Sequence, residues 1–366
     1  MQPQKIIEKL DFNLISQLIK DGYIKEHVHP SGDLSIFVYT RKTEFENAWT
    51  DEILQCRGLI SDKEGNIVAR PFAKFFNLEH WQNKFPLEIT ERFDLYDFEL
   101  YEKLDGSLGI LYFYNDEPFI ATKGSFVSEQ AVKANKMLKS IYKDSIPLLD
   151  KSLTYLFEII YPENRIVVNY GDESSLTLLA VIETISGDEL PIADYAYLGF
   201  PLVKKYNELK DINTIITLNE KNKEGFIIRF IYKNLRIKFK FDEYVKLHSI
   251  VSELTKKKVW EVIKNNSSFD KFIENIPDEL FNWIKKTELS LKEEYKKIED
   301  ESKLELKKIL APYRKEIANA IQNNQYSHVM FSMLDNKDYS KLIWDKLEPK
   351  HEIPFIEGYT SPNIEE

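Results

Sequence analysis

The chain has 366 residues, with 50 Lys and Arg against 60 Asp and Glu for a formal charge of −10, and 43% of it is hydrophobic. That length supports about two domains and a core that needs no disulfide or metal staple, and 23 Phe and 20 Tyr exclude wholesale disorder. The acidic balance excludes attachment to nucleic acid by bulk positive charge, so a polyanion would have to meet a local basic site. Cys56, the single cysteine, cannot form an internal disulfide, and the 6 His make no Cys/His cluster at zinc spacing. A reducing compartment is expected. The N-terminal MQPQKIIEKLDFNLIS is broken by charges where a secretory signal needs an apolar run, and no segment is apolar for long enough to span a bilayer. The expectation is a soluble cytoplasmic protein, or one in the host cytoplasm if viral, with no membrane partner.

In chain order, KIIEKLDFNLISQLIK at 5–20 spaces its apolar residues for a short amphipathic helix. From about 33 to 121 the runs LSIFVYT, GNIVARPF and GSLGILYFYN, divided by Gly, Asp and Asn, predict a mostly sheet region. A helix is predicted from Ser128 through about Tyr142, followed by strands in TYLFEII, RIVVNY, LTLLAVIET, GFIIRFIY and LRIKFKF. From about 250 to 350 the apolar stripes have a 3.6-residue period with dense i,i+4 charges, which predicts an all-helical domain whose long helix ends or kinks at Pro312.

The chemistry gathers around YEKLDGSL at 101–108, where Lys103 precedes Asp-Gly between two predicted strands. A lysine amine becomes a nucleophile only when neighbouring cations or burial keep it neutral; taken alone, the same residues also fit an ordinary Asp-Gly hairpin turn. Lys238 and Lys240 in RIKFKF point to one face of a strand, a pairing that calls for an anion such as a triphosphate between them. Over 221–240, seven basic residues stand against the single acid Glu224, predicting a concentration of positive charge on these strands.

With YEKLDGSLG, TKGSFVSEQAVKAN, FEIIYPENRIVVNY, KEGFIIRF and RIKFKFDEYVKLH in this order, and CRGLI and RPFAKFFNL upstream, the chain resembles the covalent nucleotidyltransferases. Within them it resembles the T4 RNA ligase 1-like family of ATP-dependent RNA ligases, from about Tyr39 to His248. The resemblance implies a nucleotidyltransferase domain of antiparallel sheets with flanking helices over 1–248; with the helical pattern that follows, the expected fold is α+β with an all-α C-terminal domain over 249–366, which, because the matched motifs end by about His248 and the helices offer charged stripes without a nucleophile, is expected to select or position RNA. It implies that Lys103 attacks the α-phosphorus of ATP to form lysyl-AMP, with Asp105 orienting the lysine and metal-bound water. Tyr39, Arg57, Lys74 and Lys123 resemble nucleotide and phosphate contacts. Glu158 and Glu224 resemble carboxylates that hold ribose or hydrated metal, Lys238 and Lys240 would grip the α-phosphate through both adenylyl transfers, and Tyr244 resembles an aromatic of the site.

The implied cofactors are ATP and Mg2+ (or Mn2+), and the implied partner is RNA with 5′-phosphate and 3′-hydroxyl ends, with an end-healing kinase or phosphatase compatible as a predecessor. Asp270 is the nearest candidate for an acidic metal-holding residue beyond the fifth motif. Where many relatives outside the family place an aromatic against adenine, LTLLAVIET offers aliphatics such as Leu179 and Val181. DNA ligases and capping enzymes share the lysines but append an OB barrel, which the helical pattern after 250 does not match. A catalytically idle RNA-binding module of the same fold is the alternative; the presence of every motif lysine speaks against it.

Overall fold

The computed structural model describes residues 6–84, 97–231, 235–265, 267, 278–309 and 313–349. The chain divides into two compact units, Met1–Val245 and Lys246–Glu366, and the division falls within the helix Asp242–Glu253.

The first unit is built on three sheets. One joins β1 (Ile24–Val28), β2 (Leu34–Tyr39), β3 (Arg57–Asp62) and β4 (Ile67–Ala69) in sequence order, all antiparallel. The N-terminal helix, Phe12–Lys20, is shorter than predicted because the Asp11 carboxylate accepts from the Asn13 and Leu14 amides and so caps it there. The region predicted as mostly sheet also holds three short helices, Arg41–Glu46, Asp51–Gln55 and Leu78–Lys84. The first two start at Thr40 and Thr50, whose hydroxyls accept from the Thr43 and Ile53 amides.

The second sheet runs β11-β10-β9-β7-β8, with β7 at Ser107–Tyr114, β8 at Glu117–Thr122, β9 at Leu153–Ile160, β10 at Ser175–Glu183 and β11 at Glu189–Leu190. Alternation gives it two apolar faces. On one, Phe157, Leu176 and Val181 pack with Leu138 of the helix Glu129–Ser140 and with Phe200; on the other, Ile110, Leu156 and Ala180 meet Ile36 and Ile60 of the first sheet. Val181 is therefore fully buried in core and cannot clamp a base, whereas Leu179, at the β-bulge of β10, stays partly exposed.

The third sheet runs β5-β13-β12-β6, with β5 at Phe76–Asn77, β6 at Phe98–Lys103, β12 at Gly225–Phe230 and β13 at Leu235–Lys240. Only the β5–β13 pair is parallel. RIVVNY at 165–170, predicted as a strand, is not one. The Val167 and Val168 amides donate instead to the Asp105 carboxylate, so they are taken out of any ladder.

In the second unit the described residues form helices at Lys256–Lys264, Asp278–Lys308, Arg314–Ile321, Ser327–Leu334 and Ser340–Lys346. Ile298, Val329 and Ile343 are buried between them, and the Trp260 indole N–H donates to the Trp344 carbonyl at 2.8 Å. The long helix ends at Lys308; Pro312 lies outside the described residues. Among the described residues no helix is long and apolar enough to cross a membrane.

Candidate active site

The register of the third sheet assembles the site. Gly225 of β12 pairs with Lys103 on one side and Lys240 on the other; the next row on that face joins Tyr101, Ile227 and Lys238, and the third joins Glu99, Arg229 and Arg236. The alternate residues Phe226, Ile228 and Phe230 face inward and are fully buried. Strand alternation thus places the three lysines on one face. Gly225 lies between two of them, and the backbone of β13 fills the place a side chain would need. Its φ of +146° and a Cβ that would lie 2.0 Å from the Phe239 carbonyl admit no other residue.

The carboxylate before it, Glu224, bridges both amines, with Lys103 Nζ at 2.8 Å and Lys240 Nζ at 2.9 Å. The Glu224 side chain is 4% exposed, against 21% for Lys103 and 25% for Lys240, so the amines reach solvent while their counter-charge does not. Lys238 makes no ion pair among the described residues. Burial, followed by repulsion from Lys240, Lys103, Lys74 and Arg57, lowers its amine to about 8.

The turn after Lys103 is held from within. Asp105 Oδ2 accepts from the Val167 and Val168 amides at 2.8 and 2.9 Å, Oδ1 accepts from the Tyr244 hydroxyl at 2.7 Å, and the Asp105 amide donates to the Tyr170 hydroxyl oxygen at 2.8 Å. Asp105 was expected to orient the lysine and metal-bound water. In this structure its oxygens face the Val167 and Val168 amides and the Tyr244 hydroxyl. Glu158 of β9 accepts from the Gly106 amide at 2.9 Å, and a side chain at Gly106 would collide with the Ile159 carbonyl. Burial pushes the Glu158 carboxyl up to about 8, with Lys103 opposing and Glu224 adding to the shift.

A second cluster comes from β2, β3 and the segment before β5. Lys74 donates to the Tyr39 hydroxyl at 3.2 Å and pairs with Glu44; its amine lies 4.7 Å from the Tyr39 ring centroid and 5.1 Å from that of Trp49. Lys123 lies 4.9 Å over the same Tyr39 ring. Arg57 stacks over Phe75 at 5.3 Å, and its Nη1 is buried without a hydrogen-bond partner among the described residues. A buried orphan guanidinium nitrogen is costly in a protein interior, and a phosphate oxygen is the partner such a group suits best.

The structure therefore brings Lys103, Asp105, Glu158, Glu224, Lys238, Lys240 and Tyr244 to one place, with Arg57 and Lys74 near enough to act on Lys238. It does not gather the positive charge predicted for 221–240. Arg229 pairs with Glu99 at 2.8 Å and Arg236 with Glu189, while Lys223 pairs with Glu220; acids from distant or flanking segments offset those cations. Asp270 lies outside the described residues, and among the described residues no three His, Cys, Asp or Glu side chains are grouped to hold a cation. Tyr170, Glu44, Trp49 and Phe75 were not singled out from sequence. Tyr170 ends the third-motif segment, the one signal that could have marked it.

A family model described as RNA ligase matches residues 55–245. The chain is 25% identical over 244 residues to a "Putative bifunctional polynucleotide kinase/RNA ligase" of Autographa californica nuclear polyhedrosis virus, covering 62% of this chain and 35% of that protein. It is 30% identical over 240 residues to a "Putative RNA ligase" of Thermovibrio ammonificans, covering 62% and 60%. The chain thus spans between about a third and three fifths of these relatives' lengths. Among solved structures it is similar to an archaeal ATP-dependent RNA ligase, with a TM-score of 0.44, 12% identity, and coverage of 91% of this chain and 78% of the other.

Proposed function

Because the chain belongs to the RNA ligase family, whose model covers more than half of it, we propose that it is an ATP-dependent RNA ligase joining 5′-phosphate and 3′-hydroxyl ends, with Lys103 as the nucleophile. The observation that carries this reading is the bridge of Lys103 and Lys240 by the buried Glu224, with Lys238 in the next row. In the first step the Lys103 amine gives up a proton, for which Glu224 is the adjacent acceptor, and attacks the α-phosphorus of ATP. An N–P bond forms, the bond to the bridging oxygen breaks, and pyrophosphate leaves.

Lys238 and Lys240 face the α-phosphate and offset the charge that develops on it. Arg57, with its unpartnered nitrogen, and Lys74 and Lys123 around Tyr39 take the remaining phosphates. Mg2+ or Mn2+ enters with ATP as part of the substrate.

The RNA 5′-phosphate next takes AMP from Lys103, and the 3′-hydroxyl attacks the resulting RNA-adenylate with AMP as leaving group. Lys238 and Lys240 serve both adenylyl transfers. Repair of RNA, tRNA included, is the setting this chemistry suits, and a kinase or phosphatase that prepares the ends would act before it.

Incubation with MgATP and intact-mass measurement tests the proposal. The wild type should gain one AMP, and Lys103→Arg none, since a guanidinium does not deprotonate near neutral pH. An adduct surviving in Lys103→Arg would move the nucleophile elsewhere.

A further inference from the structure

The helical unit carries a solvent-open depression of about 440 Å3, and it lies beyond residue 245, where the family match ends. Its apolar lining comes from Leu306, Met333 and the ring of Tyr339, and Lys303, Lys307 and Lys337 stand around it. The acids nearby are already engaged. Glu299 accepts from the Tyr339 hydroxyl at 2.6 Å and from Lys303 at 3.0 Å, and Asp335 is held by Arg314, with Lys337 farther off at 3.6 Å. Lys307 makes no ion pair among the described residues, and the Lys337 side chain is 72% exposed. The depression thus presents Lys307, without an ion pair among the described residues, and the exposed, loosely paired Lys337 beside a ring whose hydroxyl donates to Glu299.

We propose that this depression binds one nucleotide unit of single-stranded RNA, its phosphate on Lys307 and Lys337 and its base against Tyr339 and Met333. Aromatic and thioether surface accepts the face of any base, and lysines at its edge track the backbone without reading sequence. An opening to solvent suits a strand that continues on both sides. The inference rests on the ligase reading, because that reading makes RNA the polyanion at hand; a free nucleotide such as ATP shares the same chemistry.

The test uses the full chain and a short fluorescein-labelled single-stranded oligouridylate, followed by anisotropy across a salt series. The double variant Lys307→Gln/Lys337→Gln should bind more weakly, and its slope of log K against log salt should be shallower by about 0.7, the contribution of one phosphate contact on a single strand. Tyr339→Leu should lose roughly five- to a hundredfold in affinity. Since that variant also removes the bond to Glu299 and could unfold the unit, the exposed lysine pair keeps the proposal open to refutation. Equal affinity and slope in the lysine variant and the wild type would overturn it. So would loss of the lysine-dependent part of binding in excess ATP, which would assign the depression to a free nucleotide. Wild-type protein that forms no lysyl-AMP would count against the ligase reading, an outcome distinct from either of these.

Discussion

Tyr244→Phe isolates the bond that ties the helix Asp242–Glu253 to the turn after Lys103. The Tyr244 hydroxyl donates to Asp105 Oδ1 at 2.7 Å, and both residues are 3% exposed. Phe keeps the ring, its volume and the surface over which Lys240 sits at 4.9 Å; only the hydroxyl goes. Hydrogen bonds to a charged acceptor contribute about 1.5–3 kcal/mol. Since Asp105 keeps its two backbone donors, the loss should fall near the lower end, about 2 kcal/mol. For a cooperative unit of this size that corresponds to a fall of roughly 4–8 °C in Tm. Calorimetry or a fluorescence melt of the full chain measures it, with AMP-adduct formation followed in parallel. Adenylation should drop by less than about tenfold, because Lys103 keeps Glu224 and the turn keeps two of its anchors. A Tm within a degree of the wild type would refute the assignment of Asp105 as a carboxylate held by Tyr244. Unchanged stability with adenylation abolished would return Asp105 and Tyr244 to direct chemistry.

Two other outcomes follow from the lysine face. Lys240→Ala removes one of the two amines on Glu224, and both self-adenylation and the sealing of RNA supplied already adenylated should slow by roughly a hundredfold; loss confined to the first would restrict Lys240 to pyrophosphate departure. Lys238, lowered to about 8, is protonated below that pH and progressively neutral above it, whereas a bound triphosphate favours the charged amine and raises its pKa. ATP binding near pH 9 should therefore take up protons, approaching one per site. Titration calorimetry in two buffers of different ionisation enthalpy reads this directly, and an apparent enthalpy independent of buffer would show that Lys238 does not meet the phosphate.

Lys103, Lys238 and Lys240 were legible because each lies in a strand, where alternation alone decides which residues share a face. Lys238 and Lys240 could be paired from RIKFKF without any knowledge of the neighbouring strands. Local pattern fails where a partner comes from far along the chain. RIVVNY has the composition of a strand, yet the amides of Val167 and Val168 serve a carboxylate more than sixty residues upstream. The basic window over 221–240 loses part of its excess to Glu99 and Glu189, which no window of that length contains. Arg57 stood out from sequence only through the resemblance; that one of its nitrogens is buried with no partner among the described residues is a property of the packed fold. The short helices at Arg41–Glu46 and Asp51–Gln55 hide for a different reason, since fewer than two turns show no periodicity to detect.

Gly225 shows how little freedom this arrangement leaves to drift. Every base change in its codon that alters the residue adds at least a Cβ, and here that atom would overlap the Phe239 carbonyl and lie 2.8 Å from Lys240 Cα. The two amines that meet at Glu224 therefore depend on a position that tolerates no substitution short of moving a strand. A lineage could exchange Lys240 or Glu224 and keep a folded protein, whereas a change at Gly225 would shift the backbone that carries Lys240. Loss of activity at the first two positions leaves the scaffold in place for a single reversion to restore; at Gly225 the scaffold itself has moved.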